Sequence, residues 1–372
     1  MKLRKKKKQT FYSLENINSK NCHYNLIFGS RSTGKTYACL NQGLENYFNN
    51  GEQFAYVRRW AEDLKRGRGG KLFDALTANG VVKTLSHGEY DNVVYYSGAF
   101  KLAKFDNELG KNVISDEVIG YSFAITEMLH DKSTSYPNIT TIIFDEFLTR
   151  DGYLPNEFVD FMNVISTIVR LRTNVKIYML GNTVNKYCPY FKEMGLTNIE
   201  SLKRGEIDVY KYGSSGLRVA VEYADSPNEQ KKASNMYFAF NNPKLEMITS
   251  GVWELAMYPH CPTKYTRKEI LYIYFIEFEQ HLLQCEIVNT NNNYFTFIHE
   301  KTTELKPNNK NLVYSQQHNS LTNYRRKITK PATTMERKIF AFYLNDRVFY
   351  QDNEIGEIVR NYLIWCNTDS IR

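Results

Sequence analysis

Short apolar runs and helical stripes take turns along the first 225 residues of this 372-residue chain. Residues 23–28 (HYNLIF), 53–59 (QFAYVRR), 141–144 within TTIIFDEF and 175–180 (VKIYML) are nearly continuous apolar runs. Such runs predict strands buried on both faces of a parallel sheet. Residues 36–47 and 155–173 predict helices; in the second, Phe158, Phe161, Met162, Ile165, Ile168 and Val169 make one apolar stripe and Pro155 suits the first turn. Residues 81–105 alternate around Ser97-Gly98, the pattern of a β-hairpin. The texture changes near Asp225, where 226–234 (SPNEQKKAS) is a polar breaker and 226–262 reads as a linker or small lid. Residues 269–279, 282–288 and 294–299 predict a β-meander with a turn at 289–293 (NTNNN), and 355–365 predicts an amphipathic helix. The expected architecture is α/β. A basic arm (1–12) precedes a mostly parallel sheet flanked by helices (13–225), followed by the 226–262 segment and a smaller β-rich domain (263–372).

Chemistry enters at the turn after the first run. Gly29 and Gly34 bracket four residues and lead into Lys35 and Thr36, the G-x-x-x-x-G-K-[ST] phosphate loop set between strand and helix. Across Gly29, Ser30, Arg31, Ser32, Thr33, Gly34, Lys35 and Thr36, backbone N–H groups would wrap an ATP phosphate at the positive end of the helix. Lys35 would reach the β/γ-phosphates, and the Thr36 hydroxyl would ligate Mg²⁺. A glycine turn that merely joins strand to helix is the plain alternative, and the strand–loop–helix context argues against it. Asp145 and Glu146 stand at the carboxyl end of the TTIIFD run, where open α/β sheets bind ligands. Asp145 suits the Mg²⁺ ion, and Glu146 suits polarising an attacking water. An Asp-Glu pair at a strand end is common by itself; downstream of a complete phosphate loop it acquires meaning. Asn182, just past VKIYML, is placed to sense the γ-phosphate or orient the water. This order of parts fits an additional-strand, catalytic-glutamate ATPase.

Charge changes the picture less than its total suggests. The chain carries a net +8, but six of those charges lie in residues 1–8 (MKLRKKKK), leaving the body near +2. The body is therefore no DNA-coating protein, and any grip on nucleic acid must come from local clusters. The tail reads equally as a solvated arm or an electrostatic foot on RNA or DNA. Residues 62–71 (EDLKRGRGGK) set Lys65, Arg66, Arg68 and Lys71 among glycines. That stretch reads as an unpacked, mobile loop, either a surface linker or a contact to duplex phosphates. Arg170 and Arg172 fall at the end of the 155–173 helix, where cations favour the dipole whatever else they do. No apolar run approaches the roughly 18 residues of a membrane span, and the basic N-terminus has no apolar region behind it to make a secretory signal. Six scattered cysteines without a C-x-x-C pair predict a reducing cytosol and no structural zinc site.

Read in order, GSRSTGKT, YVRR, YPN followed by TTIIFDEF, VRLR and MLGN resemble the DNA-packaging ATPases of small phi29-like tailed phages, within the terminase and FtsK/HerA translocases. The resemblance is close over residues 25–191 and weak beyond. It implies an ATP-driven translocase that packages double-stranded viral DNA into a procapsid. It also implies a homopentameric ring at the portal vertex with a prohead RNA, working in the host cytoplasm and absent from the mature virion. Position by position, it makes Lys35 and Thr36 the phosphate and Mg²⁺ ligands, Asp145 the metal holder and Glu146 the catalytic base. Arg31 matches the loop's basic residue, Arg170 (with Arg172 as the alternative) the arginine supplied in trans, and Lys132 a second interface cation in trans. The glycine-rich basic stretch 65–71 is longer than the family pattern. Two other readings remain open: a different nucleic-acid translocase or helicase of the same ATPase class, and a nucleotide-switched scaffold on RNA or capsid. Larger packaging motors carry a ribonuclease-H-like nuclease in the second half, which needs clustered carboxylates around two metals. Here Glu277 and Glu279 read as same-face neighbours on a strand without a later acidic set, so this domain is expected to be vestigial and not a nuclease. Arg325, Arg326, Lys327 and Lys330 form a basic patch facing RNA, DNA or capsid, or a solvated loop.

Overall fold

A computed structural model of the chain describes residues 11–127, 134–149, 152–154, 156–182, 188–199, 201–225 and 258–368, save the side chains of 66 and 368. The chain divides into two compact units, Met1–Glu254 and Leu255–Arg372.

Among the described residues the first unit is built on nine strands: β1 (Tyr24–Gly29), β2 (Gln53–Arg58), β3 (Asn92–Tyr96), β4 (Ala99–Asp106), β5 (Lys111–Ala124), β6 (Ile139–Asp145), β7 (Lys176–Asn182), β8 (Ile207–Tyr212) and β9 (Leu217–Tyr223). Their order is β3-β4-β5-β2-β6-β7-β1-β9-β8. The six inner strands β5 to β9 of that order run parallel, and antiparallel partners finish both edges. Side-chain alternation buries both faces. Leu26, Phe28, Ile142, Phe144, Ile177 and Met179 enter one core with Phe161, Ile165 and Ile168 of the helix Glu157–Val169. Ile27, Phe54, Tyr56, Ile143, Tyr178 and Leu180 enter the other with Leu40 and Leu44 of the helix Lys35–Asn50. This is why the sequence shows unbroken apolar runs rather than alternation. Gly120 is required by close approach, since a Cβ there would lie 2.6 Å from the Phe54 ring.

Three local expectations need correction. The stretch 62–71 is not an unpacked loop: Ala61–Leu64 is a 3₁₀ turn and Arg66–Gly69 a helical turn. Leu64 is buried, Gly69 lies against the Tyr95 ring, and Asp63 pairs with both Arg58 and Arg68. One apolar anchor and one carboxylate outweigh the glycine content. The 81–105 hairpin is real only from Asn92, turning at Ser97 (φ 50°) and Gly98 (φ 79°), while Val81–Leu85 is helical. The basic arm also stops short of residue 12. Tyr12 is buried, its N–H donating to Thr33 O at 3.0 Å and its hydroxyl to Glu222 at 2.6 Å.

The second unit holds β10 (Ile270–Phe278), β11 (His281–Thr290), β12 (Asn293–Glu300), β13 (Val313–Ser315), β14 (Tyr324–Arg325) and β15 (Val348–Tyr350), ordered β14-β13-β10-β11-β12-β15. The first three form the expected meander; Asn291 (φ 48°) and Asn292 (φ 63°) supply the two left-handed residues of its second turn. The helices Thr334–Leu344 and Asn353–Thr368 follow. Glu279 is not on the strand with Glu277: it takes φ 56° in the turn after Phe278. Tight reversal at Glu279–Gln280 removes the same-face pair. The expected 226–262 segment lies outside the described residues up to 257. Residues 258–260 join this unit, with Tyr258 donating to Glu357 at 2.7 Å and Tyr350 N–H to Pro259 O at 2.9 Å. Among the described residues no helix is long and apolar enough to cross a membrane.

Candidate functional site

β7 lies between β1 and β6, so the strand feeding the glycine loop and the strand ending in Asp145 are not neighbours. All three end at one edge, where Gly29 stands opposite Asn182. An open cleft of about 260 Å³ at that edge is lined by Ser32, Thr33, Gly34, Lys35, Thr36, Tyr37, Asp145, Glu146, Gly181 and Asn182. Gly34, at φ 96°, makes the left-handed turn into the helix Lys35–Asn50, aiming its first N–H groups at the cleft. Arg31 is exposed and outside the lining.

Two observations test whether the loop fits a phosphate. Ser30 Oγ is buried with no hydrogen-bond partner among the described residues. Lys35, only 7% exposed, turns its ammonium back onto Ser30 O at 2.7 Å and Gly29 O at 3.5 Å. A buried cation resting on loop carbonyls and an orphaned hydroxyl beside it form a cradle suited to an anion. Across the cleft, Thr36 Oγ1 donates to Asp145 Oδ2 at 3.0 Å, so the hydroxyl and carboxylate expected to share Mg²⁺ already meet. Hard oxygen donors of this kind suit Mg²⁺.

Tyr56 and Arg58 of the YVRR run carry no assigned role in the sequence reading, yet both act on the acidic pair. The Tyr56 hydroxyl donates to the same Asp145 oxygen at 2.9 Å. Burial, reinforced by the Asp145 charge, pushes the phenol far above its ordinary pKa, so it stays a neutral donor. Arg58 Nη2 reaches Glu146 at 2.6 Å and Asp63 at 3.0 Å. Burial alone would lower the Arg58 pKa; the facing Tyr56, Glu146 and Asp145 reverse that and raise it. Glu146 itself sits at φ 60°, a left-handed residue without the glycine that usually fills that region. Period-two alternation along β2, which puts Tyr56 and Arg58 on one side, was the available signal.

Arg170 and Arg172 are placed at the other end of the sheet. The helix Glu157–Val169 runs back from the cleft edge and ends one residue before Arg170, which caps it. Arg172 donates to the carbonyls of Val169, Ile168, Tyr136, Pro137 and Ile139, the last opening β6. Arg170 (φ 39°) is exposed, donating to Thr134 O at 2.8 Å, and Leu171 beside it is fully exposed. β6 separates them from Glu146 by seven residues, about 20 Å at strand rise. Lys65, Arg68 and Lys71 are exposed away from the cleft lining. Lys132 and Pro155 lie outside the described residues, as does the Arg66 side chain.

A phosphate loop, an inserted strand and an acidic pair one strand removed define a P-loop NTPase of the additional-strand kind. The chain belongs to the Podovirus DNA encapsidation protein (Gp16) family, whose model it matches over residues 6–80 and 90–237. It is 32% identical over 205 residues to the DNA packaging protein of Bacillus phage B103 (54% of each chain), and 27% identical over 187 residues to that of Bacillus phage phi29 (50% of each). The match thus spans about half the length of these curated relatives. In fold it is similar to the bacteriophage Phi-29 viral genome packaging motor assembly, with a TM-score of 0.57 at 21% identity over 95% of this chain and 97% of that one. It is similar also to the Phi-28 gp11 DNA packaging motor, with a TM-score of 0.53 at 16% identity over 96% and 98%.

Proposed function

We propose that this chain is the ATP-hydrolysing subunit of a motor that drives double-stranded viral DNA into a procapsid. The observation that carries the reading is the meeting of Thr36, Lys35, Asp145 and Glu146 in one cleft across an inserted strand. Bound Mg²⁺ would supply charge neutralisation at the phosphates. Thr36 and Asp145 would hold the ion, with Tyr56 fixing the carboxylate; the Ser30–Thr36 loop would bind the phosphates through backbone N–H groups, and Asn182 would orient the attacking water. Glu146 would take a proton from the attacking water once Arg58 swings off the carboxylate oxygen it holds at 2.6 Å.

Arg170 is proposed to act in trans. It stands at the end of the sheet remote from its own cleft, beside an exposed Leu171, whereas Arg172 is spent on backbone carbonyls. A second subunit is therefore needed, and a closed ring, read as a pentamer, meets that need for every member. Lys132 as a further interface cation, Arg31 as the loop's outward charge, and Lys65, Arg66, Arg68 and Lys71 as contacts to DNA phosphates belong to the same reading. So do a prohead RNA, the portal vertex, and work in the host cytoplasm without incorporation in the virion. The second unit is read as a vestigial domain without nuclease activity.

Steady-state ATP turnover with and without duplex DNA tests the proposal. Stimulation by DNA is expected, with Glu146→Gln lowering turnover by orders of magnitude while ATP binding persists. DNA-independent turnover would instead favour a nucleotide-switched scaffold, and turnover unchanged by Glu146→Gln would remove the base from its role.

A further inference from the structure

Arg59 follows Arg58 in sequence and faces nothing in solvent. Its guanidinium is 5% exposed and grips the fully buried Glu157 with two bonds, Nε to Oε2 at 2.7 Å and Nη2 to Oε1 at 2.8 Å. The same fork donates to Phe147 O at 2.9 Å and Glu146 O at 3.2 Å. Glu157 also accepts from the Leu154 N–H at 2.8 Å and the Tyr190 hydroxyl at 2.9 Å, and the Tyr153 ring lies 5.2 Å from the guanidinium. Burying an ion pair is costly and seldom a gain in stability over apolar packing, so its presence asks for a role in specifying geometry.

The segments it joins answer that. One is the end of β2, just past Arg58, which holds the Glu146 carboxylate. Another is the backbone of Glu146 and Phe147, held by its carbonyls. The third is the first turn of the helix Glu157–Val169, which runs about 20 Å at 1.5 Å per residue and ends at Arg170. We propose that Arg59 is a positioning residue that locks the Glu146 backbone and the Arg170-bearing helix into one body. The state of a subunit's own cleft then reaches the arginine it offers to its neighbour. Glu146 occupies a left-handed conformation, so release from Arg58 and relaxation toward ordinary dihedrals would move its carbonyl. Arg59 and Glu157 must follow that carbonyl, and a packed helix transmits the displacement as a unit. This inference rests on Arg170 acting in trans.

The test uses full-length chains in mixed assemblies. Acceptor subunits carry Arg170→Ala; donors carry either Lys35→Ala alone or Lys35→Ala with Arg59→Lys, which keeps the charge but loses the fork. Donors with Lys35→Ala alone are expected to restore turnover, and the double-variant donors to restore at least about five-fold less while melting within a few degrees of them. In parallel, amide exchange over residues 157–169 is expected to change on adding a non-hydrolysable ATP analogue to the wild-type chain, and not in Arg59→Lys or Glu157→Gln. Equal rescue by both donors, or an exchange response that survives both substitutions, overturns the coupling while leaving the trans reading intact. Failure of the single-variant donors overturns the trans reading and this inference with it.

Discussion

The cleft edge of the first sheet and the interior of the second unit use acidic residues in opposite ways. At the edge of the nine-stranded sheet, Asp145 and Glu146 face an open cleft and are held by groups that a nucleotide can displace or join, Thr36, Tyr56 and Arg58. Among the described residues of the second unit, the buried carboxylates are tied inward. Glu286 accepts from Tyr265 at 2.7 Å and Gln284 at 2.6 Å, Glu336 from Arg325 at 2.8 Å and Ala332 N–H at 2.7 Å, and Glu357 from Tyr258 at 2.7 Å. Residue type does not decide the role. What decides it is whether the remaining lone pairs point to a space or to a neighbour, and among the described residues no metal-sized acidic cluster forms in either unit.

Substitutions sharpen this contrast in a definite order. The largest loss is expected from Arg170→Ala: turnover falls about 10³-fold or more if the arginine stabilises transferring phosphoryl charge, while the fold stays intact. Arg172→Ala should do the reverse, lowering the melting temperature with the remaining folded protein able to hydrolyse ATP; comparing the two by turnover and thermal melting separates a lent cation from a structural one. Glu146→Gln comes next, with turnover reduced roughly 10²–10⁴-fold and nucleotide affinity kept, measured by single-turnover kinetics and equilibrium binding. The matching exchange in the second unit, Glu336→Ala in the helix Thr334–Leu344, should leave nucleotide binding untouched and cost about 1–3 kcal/mol in denaturant unfolding, because the Ala332 N–H and Arg325 lose a buried acceptor.

The smallest effect is a pH dependence confined to the second unit. The His299 pKa is raised above its ordinary 6.5, chiefly by its bond to Glu286. Burial alone would raise Glu286, but bonds from His299, Tyr265 and Gln284 prevail and hold it below its ordinary 4.5. A raised histidine stabilises fully below its unfolded pKa and loses that contribution as pH climbs through the folded value; a lowered carboxylate stabilises above its unfolded pKa and loses it as pH falls through the folded one. Both contributions coexist between about pH 5 and 6, so the melting temperature of this unit should fall by a few degrees toward pH 8. His299→Gln should flatten that slope, and an unchanged slope would assign it to other groups.

Much of the first unit was legible because its signals are local. Glycine spacing, a basic residue and a hydroxyl name the loop, and four apolar runs name the strands that meet at the cleft. Partnerships between segments left no such trace. Arg58 and Arg59 read alike in YVRR, yet one meets Glu146 and the other is buried against Glu157, 98 residues away. Arg170 and Arg172 likewise share a helix end but not a task, because only the fold brings the carbonyls of 136–139 beneath Arg172. The 62–71 stretch misled in the other direction: its glycines mask a single buried leucine and a carboxylate with two arginine partners.

The strand inserted between β1 and β6 has a geometric consequence for how such a site can evolve. With strands about 4.8 Å apart, the phosphate loop and the acidic pair are spaced by about 9.6 Å rather than by one interval. The intervening strand must terminate inside that gap, and here it does so with Asn182 level with Gly29. A shift of β7 by one residue would turn the asparagine to the opposite face and put a glycine in its seat, leaving both flanking motifs intact in sequence. Registry, and not motif content, is therefore the hidden variable in this cleft, and insertions near 173–175 would be tolerated far less than the polar composition there implies.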